Sequence, residues 1–220
     1  FSGGIAGAVI GSVTITDTVL LLGPNHHGIG ERAALFPGGT WHTPLGPCAI
    51  DEDLAQRFLE NCPFLKPDTL AHKFEHSLEV QVPFLQAQNP NVRIVPICLG
   101  HLAPDQLLAI GRCIGATLAQ EEKPPLMLAS SDMSHYVSAE EARRKDMLAI
   151  QKILDLDPEG LYRVVRDERI SMCGVLPAVV LLVAARELGA TTAELVRYGH
   201  SGEVTGGDSE VVGYAGIRIR

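Results

Sequence analysis

"TVLLLGPNHHG", residues 18–28, decides how the chain is read. A short run of aliphatic and β-branched residues that stops at Gly23-Pro24 reads as a buried strand. Two adjacent histidines, His26 and His27, then stand at its carboxyl end, where open α/β sheets collect their ligands. One stretch therefore poses both the architecture and the chemistry.

Similar apolar runs occupy residues 92–99, 126–130, 195–198 and 211–219, each bounded by Gly, Pro or Asp. Helix-like segments lie between them at 51–61, 75–88, 104–120, 139–154 and 176–188. The alternation predicts one α/β domain over residues 1–220, its central sheet mostly parallel or mixed and flanked by helices. Asp51 suits an N-cap and Pro104 a first helical position. Residues 40–50, with Pro44, Gly46 and Pro47, read as a loop or irregular hairpin.

A formal net charge of −8 and a pI near 5.4 exclude a phosphate-binding surface of the nucleic-acid kind, which needs concentrated Lys and Arg. The longest apolar segment, residues 176–188, is too short to span a membrane. The start, "FSGGIAGAVIGSV", has no basic region and is not a signal peptide. The five cysteines show no CxxC spacing and cannot all pair within the chain, which predicts a reducing, cytoplasmic setting. Cys48, Cys62, Cys98 and Cys113 read as small buried hydrophobes.

Histidines follow four of the predicted strands. His26 and His27, adjacent in a turn, point apart, so they are alternatively one metal ligand or base with a neighbour, or two turn-capping residues. In "SSDMSHY", Asp132 can orient His135 as a general base, with Ser131 beside them; the alternative is N-capping of the next helix, which suits Ser138. "EHSLEVQVPF" sets Glu75 and Glu79 one helical turn apart with His76 between, an acidic helix face whose histidine supports the site from behind. Cys173 precedes a helix start, a place that lowers a thiol pKa, although a lone Cys is as readily a buried hydrophobe. "SGEVTGGDSE", residues 201–210, reads as a surface loop.

In order, "GPNHHG", "EHSLEVQVPFL", "SSDMSHY", "MCGVLPAVVLL" and "VVGYAGI" resemble the Memo-like family, also known as protein B of the AmmeMemoRadiSam system. The resemblance runs through nearly the whole chain. It implies a fold similar to class III extradiol non-haem iron dioxygenases. It also implies a metal site made by a His of an upstream "PHAGY" motif, by His26 and by Cys173. His135 would then stand where the related dioxygenases keep a catalytic base, with His27, His76 and Ser131 in or behind the pocket. "FSG" ordinarily follows "PHAGY" after one residue, so the expected first ligand lies upstream of Phe1 and the domain is expected to lack its N-terminal segment. Iron is the leading expectation; sulfur from Cys173 also suits copper or zinc.

Three functions follow from these residues. The first is a metal-dependent, dioxygenase-like oxidoreductase acting on an unknown small molecule. The others are a peptide- or partner-binding module using the same pocket, and a hydrolase using zinc-bound water. The resemblance adds partners in the AmmeMemoRadiSam system; neither nucleic acid nor membrane is expected.

Overall fold

Elements are numbered along residues 1–220 of a computed structural model. The first half contains α1 (Gly3–Ile10), β1 (Thr18–Pro24), β2 (Ala33–Leu35), β3 (Thr40–Thr43), β4 (Gly46–Ala49), α2 (Glu52–Asn61), β5 (Lys66–Pro67), α3 (Val82–Gln88) and β6 (Arg93–Leu99). The second contains α4 (Pro104–Leu118), β7 (Leu126–Ala129), β8 (His135–Val137), α5 (Ala139–Leu154) and α6 (Pro158–Asp167). It ends with α7 (Val175–Glu187), β9 (Ala193–His200), α8 (Gly202–Thr205) and β10 (Val211–Ile219).

The opening stretch is the predicted strand, β1, and every residue of it is buried. It pairs in parallel with β6 on one side (Leu20 opposite Val95) and with β7 on the other (Leu20 opposite Met127). Beyond β6, β2 runs antiparallel, and the order is β5-β2-β6-β1-β7. Alternation along β1 divides the core. Leu20 and Leu22 face the cluster under α2, α4 and α7, whereas Val19 and Leu21 face the cluster that includes Ile10, Val82 and Leu85. A strand covered on both faces needs a continuous apolar sequence, which is what the quoted stretch supplies.

Several expectations are corrected. The runs at β9 and β10 do not extend a parallel sheet; they pair antiparallel in a separate sheet of order β8-β10-β9. The helix expected over residues 75–88 shrinks to α3, preceded by a 3₁₀ turn at Glu79–Gln81. Pro83 has no N–H to donate and so stands in the first turn, leaving Glu75 and His76 outside any regular element. Helix α6 escaped the reading, although Asp157 caps Gly160 N and Pro158 occupies its first position. Cys62 and Cys113 are bonded to each other, tying the end of α2 to α4, so they are not free buried thiols; Cys48, Cys98 and Cys173 are free. Residues 40–50 do form the irregular hairpin, β3 with β4.

No helix is long and apolar enough to cross a membrane. Among the predicted helix starts, Asp51 does more than cap. Its side chain accepts from Leu54 N at 3.1 Å and from the Thr18 hydroxyl at 2.5 Å, and pairs with Arg93 at 3.1 Å, fastening α2 to β1 and β6. Replacing Asp51 by Ala removes the cap and leaves a buried hydroxyl without its acceptor. Denaturant titration should show a loss of about 2 kcal/mol.

Candidate metal centre

Three strand or helix ends converge at the carboxyl side of β1. The turn after β1 is pinned by Asn25 N to Leu99 O at 3.0 Å and by Asn25 Nδ2 to Ile29 O at 2.8 Å. Gly28 and Gly30 take positive φ values of 61° and 75°, which lets the chain reverse tightly there. His26 and His27 sit on this turn, and their neighbours distinguish them.

His26 belongs to Glu75. The Glu75 side chain is 2% exposed, and it accepts from His26 Nδ1 at 2.8 Å, His26 N at 2.8 Å, His76 N at 2.9 Å and Ser77 N at 3.0 Å. Burial by itself would push this carboxyl up. The His26 side chain and the surrounding backbone N–H groups overcome that and hold it down at about 2. With Nδ1–H committed to the carboxylate, His26 presents Nε2 as its lone pair. His76 stacks on the His26 ring, centroids 4.9 Å apart and planes 14° from parallel. His27 stays exposed.

His26, Glu75 and His76 offer donor atoms within 4.8 Å of one another, a group able to hold a metal ion. Within the group the roles differ. Four N–H donors already occupy the two Glu75 oxygens, and nearly parallel rings cannot aim both in-plane lone pairs at one close point. His26 Nε2 is the donor left with direction.

Cys173 reaches the same place from the start of α7. It and His26 line one cavity of about 390 Å³, together with Leu99, His101, Tyr162 and Arg166. The Sγ accepts from Asp132 N at 3.2 Å. This contact depends on Gly174, whose N–H donates to Ser131 Oγ at 2.9 Å. The expected lowering of the thiol pKa by the helix start is not what governs: burial pushes the Cys173 thiol up.

The "SSDMSHY" segment leaves β7 with Ser130 N bonded to Leu22 O at 2.9 Å, then turns between Cys173 and α5. Buried Asp146 of α5 fixes the turn, accepting from Ser134 N at 2.9 Å and from the Tyr198 hydroxyl at 2.9 Å. His135 Nδ1 lies 2.8 Å from Ser171 O, whereas its Nε2 is 3.8 Å from Asp132 Oδ2. A backbone carbonyl therefore orients the ring more closely than the aspartate does. Burial pushes the Asp132 carboxyl up, against the pull of the charge on His135, His26 and His76. Neither His135 nor Asp132 is in the lining of the His26–Cys173 cavity; Asp132 touches it by its N–H bond to Cys173 Sγ, and His135 stands beyond Asp132.

Sequence reasoning undervalued Glu75 and passed over His101, Asp146 and Gly174. Glu75 was read onto a helix face that does not form. Asp146 had no signal except a carboxylate on the buried side of α5.

Known proteins resemble the chain along nearly its whole length. A family model described as "Memo-like protein" matches residues 1–218. A MEMO1 family protein of Aquifex aeolicus is 43% identical over 218 residues, covering 99% of this chain and 80% of that protein. One from Methanopyrus kandleri is 37% identical over 224 residues, covering 100% and 79% respectively. In fold, the chain is similar to an uncharacterized Escherichia coli K12 protein known from its crystal structure, with a TM-score of 0.63 and 15% identity over 94% of this chain and 90% of that one. With a family model and relatives of this identity spanning it almost end to end, the chain belongs to the Memo family.

Proposed function

We propose that the protein binds a transition-metal ion between His26 Nε2 and Cys173 Sγ and works there as a dioxygenase-like oxidoreductase on a small substrate. The observation that carries this is the buried Glu75 carboxylate, which fixes the His26 tautomer so that Nε2 is the free donor in the cavity that Cys173 also lines. Imidazole nitrogen with thiolate sulfur suits iron, copper or zinc, so the donors present fit the group that the family resemblance implies. When bound, such a metal supplies Lewis acidity and, if iron or copper, electron transfer.

The protein's own residues do the rest. Glu75 keeps a proton on His26 Nδ1. Asp132 N–H donates to the Cys173 sulfur, stabilising its charge. Leu99, Val175 and Leu176 give the cavity apolar lining, and Tyr162 and Arg166 line it as well. His135, held by Ser171 O, turns Nε2 toward Asp132, and in this reading it takes up a substrate proton on that side, from outside the cavity lining.

The experiment is metal analysis of the purified protein, with His26→Ala and Cys173→Ser beside it, followed by turnover with and without oxygen. Bound metal lost in both variants and oxygen-dependent turnover support the proposal. Oxygen-independent hydrolysis would point to zinc-bound water, and full folding with no metal would leave only a binding module. His135→Ala should retain the metal and lower turnover by about 10²–10⁴-fold. Loss of the metal in that variant would make His135 a ligand.

A further inference from the structure

The loop between β9 and β10, residues 201–210, takes no part in the site described above, yet three atoms with lone pairs converge beneath it. A Cβ on Gly202 would stand 2.2 Å from Gly207 O, 2.9 Å from His200 Nδ1 and 3.1 Å from Asp208 Oδ1. All three therefore look onto one small space beside the Gly202 Cα, which glycine leaves open and a side chain would fill. Gly202 is itself buried, so the space lies under the loop.

The chain leaves these atoms uncommitted. His200 Nδ1 is sealed from solvent and has no hydrogen-bond partner in the protein. Gly207 O accepts no backbone N–H. Buried ring nitrogens without partners are costly, and native proteins leave few of them. Charge in the loop has one sign. Residues 199–210 contain Glu203, Asp208 and Glu210 and no lysine or arginine. Glu203 Oε1 accepts from His200 N at 3.1 Å, which brings a second carboxylate against the same residue. Two oxygens and an imidazole lone pair in a negative field call for a positive charge. Imidazole nitrogen with carboxylate and carbonyl oxygen is a donor set for a divalent first-row cation.

We propose that this loop holds a metal ion of its own, a divalent cation such as zinc, bound by His200 Nδ1, Asp208 Oδ1 and Gly207 O with water completing the shell. His200 then keeps its proton on Nε2. The ion would serve as a fastening. Ala139 N donates to Asp208 O at 2.9 Å, and β8 pairs with β10 at Val211 and Val212. Holding the loop therefore holds the start of α5 and the strand that begins at His135. The site shares no residue with the His26–Cys173 centre and stands whether or not that reading holds.

The test is zinc titration of the untagged protein by calorimetry, beside Asp208→Asn, His200→Gln and Glu210→Gln. In the first two variants one ion should be lost or held at least about tenfold more weakly, the loss expected when even a supporting residue of a metal site is removed. Glu210→Gln removes charge but no ligand and should bind as the wild type does. Asp208 is exposed, so Asp208→Asn carries the test even if His200→Gln fails to fold. Zinc should also slow amide exchange at residues 201–208 and at Ala139 in the wild type and not in Asp208→Asn, a readout that an ion bound elsewhere does not give. Equal zinc binding by the wild type and Asp208→Asn, an equal loss in Glu210→Gln, or loop exchange that zinc leaves unchanged would each overturn the proposal.

Discussion

Glu75→Gln should weaken metal binding by about 10–100-fold, measured by competition with a chelating dye, and destabilise the fold at the same time. The amide is nearly the same shape but brings an NH₂ where the carboxylate accepted bonds from His26, His76 and Ser77. A donor then meets donors inside a group 2% exposed, and the His26 tautomer is no longer fixed. Loss of a buried charged acceptor of this kind costs roughly 3 kcal/mol. The pH dependence has a definite direction. The folded carboxyl titrates at about 2, below its ordinary value of 4.5, so its stabilisation is complete above 4.5 and disappears as pH falls through about 2. Acid titration of the Gln variant should lack that part of the decline, while unchanged acid unfolding would remove Glu75 from the account.

Gly174→Ala should be more damaging still. At φ −96° the residue needs no special backbone freedom; it needs space. A Cβ there would lie 2.3 Å from Ser130 O and 2.5 Å from Ser131 Cβ, neither of which is the loose end of a side chain. The strand exit and the start of α7 must separate, taking Cys173 away from Asp132 N. Denaturant unfolding should record a loss of about 3 kcal/mol or more, together with loss of bound metal. Gly207→Ala is the control, since nothing stands within 4 Å of its Cβ. Its stability should stay within about 0.5 kcal/mol of the wild type. Similar behaviour of the two variants would mean that the close approach at Gly174 is not needed.

What could be read beforehand followed local rules. β1 and β6 were legible because strands covered on both faces carry unbroken apolar runs, and α2 and α4 because Asp51 and Pro104 mark their starts. His26 and Cys173 drew attention through position at element ends, and they do line one cavity. Pairing was less legible. β9 and β10 look like any buried strand until their antiparallel partners are known, and short apolar runs carry no mark of direction. Glu75 was hidden by a helical spacing that Pro83 overrules, and the Cys62–Cys113 bond by separation in sequence. The pairing of β9 with β10 and the Cys62–Cys113 bond depend on which distant segment arrives next to a residue, and hydrophobic periodicity holds no record of that.

The central claim is that one ion is shared by nitrogen from His26 and sulfur from Cys173. X-ray absorption fine structure on the metal-loaded protein tests it most directly. A sulfur scatterer at about 2.3 Å and nitrogen at about 2.0–2.1 Å should be found, with the sulfur lost in Cys173→Ser and one nitrogen lost in His26→Ala. A metal surrounded only by nitrogen and oxygen, unchanged in Cys173→Ser, would contradict the account.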